Sequence, residues 1–231
     1  MSAAATELRI GGVLPFTTLD YPGELAATLY CRGCPWRCGY CHNAHLFGQV
    51  RSDDPCWPEV YAWLATRRGL LDAVAFSGGE PTAQRALPAA LARTRALGFK
   101  IGLHTNGAYP TRLARALPWV DWVGLDIKAL PEDYQRVTGA PTAGARAWTS
   151  LELVLAAGVA YEVRITPLPG LDDTATLDRL LARLAAAGAR HCVLQQCRGA
   201  RAWDTTLPAP AQLAALPLTI PATFTTFARR N

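Results

Sequence analysis

The segment AVAFSGGEPTAQRALPAALARTRALGFKIGLHTNG, residues 73–107, reads as strand, turn, helix, strand, turn. AVAFS (73–77) is a short, near-continuous apolar run, and SGGEP turns the chain after it. From Thr82 to Gly98 apolar positions recur at three and four until a glycine stops the run. KIGLHT (100–105) is a second strand, closed by Asn106-Gly107. A helix-period stretch between two apolar strands is the βαβ unit, whose strands run parallel beneath covering helices.

The rhythm continues in both directions. LAATLY (25–30) precedes the segment, and WVGLDIK (122–128), YEVRIT (161–166) and HCVLQQ (191–196) follow it. Helical stretches lie between them at 57–69, 111–117, 145–158 and 173–188. Six βα units result, and the regular alternation offers no linker at which to cut a second domain. An open doubly wound sheet and an incomplete βα barrel both satisfy the pattern. Either one places ligands at the carboxyl ends of its strands. Residues 1–23 read as an N-terminal extension and about 24–200 as the α/β unit. About 207–231, with prolines at 208, 210, 217 and 221, read as a wrap around the outside.

With 231 residues, half of them hydrophobic, the chain has enough apolar side chain for a sizeable core. Its net charge of +5 reads as spread along the chain, with pairs such as Arg67-Arg68 and Arg229-Arg230 but no block of five or six adjacent like charges, hence as solvated faces rather than a nucleic-acid surface. MSAAATELRI has neither the basic nor the apolar part of a signal peptide, and no apolar run is long enough to span a bilayer. The expectation is a cytoplasmic protein without membrane or nucleic-acid partners. Four of the seven cysteines fall within 31–41, which in a reducing compartment points to metal or redox chemistry rather than disulfides.

In YCRGCPWRCGYCHNAHL (30–46) the thiols are Cys31, Cys34, Cys38 and Cys41. All four together would suit zinc or a complete iron–sulfur cluster, although three residues between the two C-x2-C pairs is a tight span. Counted from Cys34 the pattern is C-x3-C-x2-C, with Tyr40 before the last thiol. This resembles the signature of the radical S-adenosylmethionine (SAM) enzymes. In that family three cysteines hold three irons of a 4Fe-4S cluster, and the fourth iron takes the amino and carboxylate groups of SAM. The resemblance implies Cys34, Cys38 and Cys41 as ligands, Tyr40 beside the nucleoside, and Cys31 as a small residue packed at a strand end.

The other strand ends extend the resemblance. SGGEP places Gly78, Gly79 and Glu80 where the family holds the methionyl amine. HTNG (104–107) contributes Thr105 and Asn106. Asp126 and Lys128, two apart on a strand, project to the same side, and Arg164 lies in VRITP. By resemblance Asp126 contacts the ribose or a nearby cation, and Lys128 and Arg164 the carboxylate.

The order CPWRCGYC, SGGEP, HTNG, DIK, VRITP is similar to the glycyl-radical-enzyme activases, above all those of anaerobic ribonucleoside-triphosphate reductase and of pyruvate formate-lyase. It implies a partial (βα)6 barrel binding one 4Fe-4S cluster and SAM. A flavodoxin- or ferredoxin-like donor would reduce the cluster, SAM would be cleaved to a 5′-deoxyadenosyl radical, and that radical would take hydrogen from a glycine of the partner, anaerobic ribonucleotide reductase. Two readings stand beside it: a small-molecule enzyme similar to the 7-carboxy-7-deazaguanine synthases, and a non-catalytic iron–sulfur or zinc protein using all four cysteines.

Departures from the family pattern are Tyr21 in Asp20-Tyr21-Pro22-Gly23, His104 where the lyase activases carry a cation-binding aspartate, and LQQC, which leaves an adenine contact unassigned. Trp36 is expected to cover the cluster. Arg32 and Arg37 are placed to tune its potential or receive an acidic partner loop. His42 reads as a neighbour of the cluster ligands or an ordinary loop residue. His45, Cys56, Cys192 and Cys197 read as structural.

Overall fold

A computed structural model describes residues 7–199 and 202–230; the first six residues of the stretch tested for a signal peptide lie outside it. Eight strands form one sheet in chain order. Strand β1 (Ile10–Thr17) runs antiparallel to β2 (Ala26–Cys31). Next come β3 (Ala73–Gly78), β4 (Lys100–Thr105), β5 (Trp122–Asp126), β6 (Ala160–Ile165), β7 (His191–Gln195) and β8 (Thr226–Arg230). From β2 onward every pair is parallel.

Spatial order equal to chain order decides between the two arrangements the periodicity allowed. A doubly wound sheet must reverse its direction of growth at a switch point. Here each crossover adds its strand on the same side, which is the winding of a βα barrel. Among the described residues β1 and β8 remain the two edges of the sheet, so the barrel is partial. The helices are α1 (Trp57–Ala65), α2 (Leu87–Ala96), α3 (Pro110–Ala116), α4 (Tyr134–Thr138), α5 (Ala143–Ala156) and α6 (Thr174–Ala186). Helix α2 begins five residues later than its periodicity suggested. Pro88 favours the first turn of a helix, and a separate 3-10 turn occupies Pro81–Ala83.

Both terminal segments add a strand to the sheet. Residues within the N-terminal extension form β1, and the C-terminal wrap ends in β8, which pairs with β7 from His191↔Thr226 to Gln195↔Arg230. Neither reads as a buried strand because both are edge strands: β1 contains two glycines and a proline, and β8 ends in two arginines.

Alternation along the strands sorts side chains onto two faces. Leu29, Phe76, Leu103, Leu125, Ile165 and Leu194 belong to one continuous core with Leu91, Leu113, Leu151 and Leu181 of the helices. Each such side chain contributes about 1.5–3 kcal/mol when fully buried, so the layer between sheet and helices carries the hydrophobic stabilisation. The inward face is thereby freed for polar groups. Its floor is a separate small cluster of Tyr21, Ala26, Ala73 and Trp122. Tyr21 lies 5.7 Å from Trp122, ring to ring. A Cβ on Gly102 would come within 2.9 Å of the Tyr21 ring, so the tyrosine in the DYPG turn fits because β4 carries a glycine there. No helix among the described residues is long and apolar enough to cross a membrane.

Candidate active site

The cysteine loop leaves the end of β2. Cys31 pairs with Ile10 and Gly78 in the sheet, is fully buried in the outer core, and has its thiol pKa raised, chiefly by burial. Backbone bonds then fix the loop from four directions. Arg32 N donates to Arg9 O (3.0 Å), Gly33 N to Leu46 O (2.8 Å) and Arg37 N to Thr138 O (3.0 Å); from the far end of the chain Trp203 N reaches Cys41 O (3.1 Å) and Asp204 N reaches Gly39 O (2.9 Å).

Arg32 is not the surface cation its position suggested. It is buried in an ion pair with Asp54 and donates to His45 O at 2.8 Å, because the loop folds back over it. Arg37 is exposed, binds the carbonyls of Cys34 and Trp36, and lies 4.4 Å over the Phe47 ring. Trp36 is buried, its ring edge-on to Tyr134 of α4.

Cys34 and Cys41 are half-buried and Cys38 is buried. Burial raises all three thiols above their ordinary range, Cys34 to about 12, while the ammonium of Lys128 pulls each of them back. Ionising such thiols takes a compensating metal charge. Among the described residues no three His, Cys, Asp or Glu side chains close around a point as ligands of one ion. Three thiolates on three separate irons do not have to meet that condition. The donor set, three soft thiols and no carboxylate, fits an iron–sulfur cluster.

The GGE segment extends β3 along the root of this loop. Gly79 N donates to Cys31 O (2.9 Å), and Glu80 N to Gly33 O (2.8 Å). Gly78 has φ +107°, and a Cβ on it would sit 2.5 Å from Cys31 N; one on Gly79 would sit 2.4 Å from Gly33 O. These glycines therefore admit the cysteine loop itself. Glu80 is fully buried, and burial raises its pKa against the hydrogen bonds it accepts. Its Oε1 accepts from Thr82 N (3.0 Å), Thr82 Oγ1 and Thr105 Oγ1 (2.7 Å), and its Oε2 from Asn106 N (2.7 Å). Asn106 Nδ2 in turn reaches Cys34 Sγ at 3.6 Å. One carboxylate thus ties the ends of β3 and β4 together and aims an amide at a thiol.

Across the sheet, Asp126 accepts from Arg164 Nε (3.1 Å) and Lys128 Nζ (3.3 Å). About a third of the Asp126 side chain stays accessible, whereas Lys128 and Arg164 are nearly covered. Burial would raise the Asp126 pKa, but Lys128 and Arg164 outweigh it and hold it low. Burial likewise opposes the charge on Lys128, and Tyr40 and Asp126 more than restore it. The ammonium lies 5.3 Å from the Tyr40 ring centroid; among the described residues the buried Tyr40 hydroxyl makes no hydrogen bond of normal geometry.

His104, opposite Gly124 on β4 and so two residues below Asp126 in register, faces Arg164 Nη1 through Nδ1 (2.6 Å) and the Asp20 carbonyl through Nε2 (2.6 Å). A guanidinium only donates and a carbonyl only accepts, so the imidazole is neutral with its proton on Nε2. Burial, then Arg164, lower its pKa from 6.5 to about 4. The unfolded chain therefore takes the proton first: stability is full above about pH 6.5 and falls as pH drops toward 4. Urea unfolding at pH 7 and 5 checks this, with His104→Gln expected to cancel most of the difference; an equal slope in both proteins would refute it.

The carboxyl ends of the inner strands thus gather Tyr40, Gly78, Gly79, Glu80, Thr105, Asn106, Asp126, Lys128 and Arg164 on the loops and strand ends around the cysteine loop. Sequence reasoning missed Thr82, which anchors Glu80, and Tyr134, whose hydroxyl accepts from Lys128 N at 3.0 Å. It also missed the bidentate Glu162–Arg230 pair inside the sheet (2.7 and 2.8 Å), which needs β8 to be seen. Thr82, two residues after a buried Glu, was the only one of these with a local signal.

A family model described as Radical SAM superfamily matches residues 28–184, from β2 to α6. Among curated proteins the chain is 27% identical over 132 residues to one named a glycyl-radical enzyme activating enzyme from Methanocaldococcus jannaschii, covering 54% of this chain and 52% of that one. It is 28% identical over 183 residues to the pyruvate formate-lyase-activating enzyme of Clostridium pasteurianum, 76% and 75% of the two chains. It is 30% identical over 128 residues to the 7-carboxy-7-deazaguanine synthase of Methanopyrus kandleri, 47% and 51%. The match therefore spans about half of the first and third of these relatives. Among solved structures, Streptococcus suis SuiB bound to the precursor peptide SuiA superposes with TM-score 0.65 at 13% identity, over 86% of this chain and 46% of that one.

Proposed function

The chain belongs to the radical SAM superfamily, and from that premise we propose that it is an activase that places a glycyl radical on a partner enzyme, anaerobic ribonucleotide reductase. The superfamily's cofactors, a 4Fe-4S cluster and SAM, supply reductive cleavage of a sulfonium and hence a carbon radical. The observation that carries the reading is the convergence at the carboxyl ends of the inner strands: the Glu80–Asn106 tie ends at Cys34 Sγ, while Lys128, held by Asp126 and lying over Tyr40, acts on all three proposed ligand thiols.

Cys34, Cys38 and Cys41 hold three irons, and Cys31 stays in the core. Lys128 and Arg164 receive the methionyl carboxylate, and the accessible Asp126 receives the ribose. Tyr40 lies along the nucleoside. Glu80 has one oxygen accepting three bonds and the other accepting one, so Oε2 keeps a site for the amine beside Gly78, Gly79, Thr105 and Asn106. A flavodoxin- or ferredoxin-like protein delivers the electron. Relatives named as activating enzymes support a protein substrate.

Anaerobic reconstitution with iron, sulfide, SAM and dithionite is expected to yield 5′-deoxyadenosine. Adding a candidate reductase is expected to give the electron paramagnetic resonance doublet of a glycyl radical. No 5′-deoxyadenosine sinks the whole reading; 5′-deoxyadenosine without the doublet moves it to a small-molecule substrate, which the synthase relative favours.

A further inference from the structure

Forty consecutive residues, 81–120, contain six cations, Arg85, Arg93, Arg95, Lys100, Arg112 and Arg115, and no Asp or Glu. The whole chain has 23 Lys and Arg against 18 Asp and Glu; without these six, 17 would face 18. The net positive charge is thus concentrated in one stretch, and the fold sorts it. Arg95 pairs with Asp121 and Lys100 with Glu24, while Arg93 lies 4.2 Å over the Tyr61 ring. The other three arginines line one cavity of about 340 Å³, together with Thr82, Gln84 and Thr111. Among the described residues no carboxylate lines it.

Arg85 and Arg115 are exposed and have no ion-pair or hydrogen-bond partner among the described residues. Arg112 uses Nη1 on the carbonyls of Ala83 and Thr82 and rests over Tyr109, leaving Nε and Nη2 without a hydrogen bond among the described residues. Three guanidiniums around one cavity repel each other until an anion joins them, and their forked donors match phosphate oxygens. Helix α2 starts at this rim with no side-chain cap and no acidic residue in its first turn, which adds to the positive potential.

A concave site at the small end of the usual 300–1,000 Å³ range suits a small ligand better than a flat protein face. We infer that this cavity binds a phosphorylated small molecule, a nucleotide or polyphosphate, as an effector of the adjoining active site. The connection is Thr82, whose carbonyl accepts from Arg112 and whose hydroxyl donates to Glu80. A ligand drawing on Arg112 is one residue away from the carboxylate that positions Asn106.

Calorimetric titration of the full reconstituted chain with inorganic phosphate, tripolyphosphate and ATP tests this without turnover, so it stands apart from the radical chemistry. Tripolyphosphate and ATP are expected to bind more tightly than phosphate, with affinity falling as salt rises. Arg85→Ala/Arg115→Ala is expected to weaken both at least about tenfold, and Thr111→Glu to do the same by placing a carboxylate on the rim. Equal affinities for tripolyphosphate and ATP assign recognition to the phosphate chain, and tighter ATP assigns it to a nucleotide. No binding, unchanged affinity in both variants, or capture of a polyglutamate peptide in place of phosphates overturns the inference.

Discussion

Serine in place of Cys34, Cys38 or Cys41 is expected to strip the protein of its cluster and of all 5′-deoxyadenosine formation, while alanine in place of Cys31 leaves both. The loss should exceed the roughly 10- to 100-fold that removal of an outer-shell partner costs at a metal site, because each of the three thiols is taken as a direct ligand. Cys31 differs in kind. Its alternation on β2 turns it to the outer core, it is fully buried there, and burial disfavours its thiolate. Removing its sulfur resembles deleting one buried methyl group, about 1 kcal/mol. Iron and sulfide content after anaerobic reconstitution, with a melting curve for each variant, checks the contrast. Iron lost from Cys31→Ala but kept by one of the three serine variants would reassign the ligand set.

Glu80→Ala is expected to be the most destabilising single substitution at this site. It leaves two backbone N–H groups, those of Thr82 and Asn106, buried without an acceptor, along with two threonine hydroxyls that can turn elsewhere. At about 1–3 kcal/mol for each orphaned donor, the loss is about 2–6 kcal/mol. For a chain of this size, where 1 kcal/mol corresponds to about 2–4 °C, the melting temperature falls by on the order of 10 °C. Glu80→Gln keeps an acceptor for Thr82 but turns an amide donor toward Asn106 N–H, so it should lie between wild type and alanine. Asn106 also reaches Cys34 Sγ, and hydrogen bonds to cluster sulfurs tune potential; both variants should therefore shift the midpoint potential of the bound cluster. An unchanged melting curve with SAM binding abolished would make Glu80 a ligand contact only and remove its positioning role.

The carboxylate shows where sequence reading stopped short. GGEP could be placed at a strand end and next to a thiol cluster, because glycine and carboxylate chemistry are local. That the two glycines admit the Cys31–Gly33 backbone, and that four protein donors already occupy Glu80, depends on which strands are neighbours. Six of the seven parallel strands, β2 to β7, were legible, since a strand buried on both faces needs a continuous apolar run. Strands β1 and β8 were not, because edge strands tolerate glycine, proline and arginine, and α4 has only five residues. The pairing of Asp126 with Lys128 followed from strand alternation. Its continuation through Arg164 to His104 and Asp20 needed β4, β5 and β6 side by side. Arg32 misled because a charged residue beside a loop looks exposed until Asp54 is found under it.

The backbone bonds from Trp203 and Asp204 to Cys41 and Gly39 also set a schedule. During synthesis the thiols of the loop emerge some 160 residues before the segment that clamps them, an interval of about 8–30 s at 5–20 residues per second. Through that interval the thiols lie in a nascent chain at ordinary acidity, open to oxidants and to stray metals. On the proposed ligand set, the backbone clamp around the iron–sulfur centre is therefore complete only after the ribosome has passed Asp204.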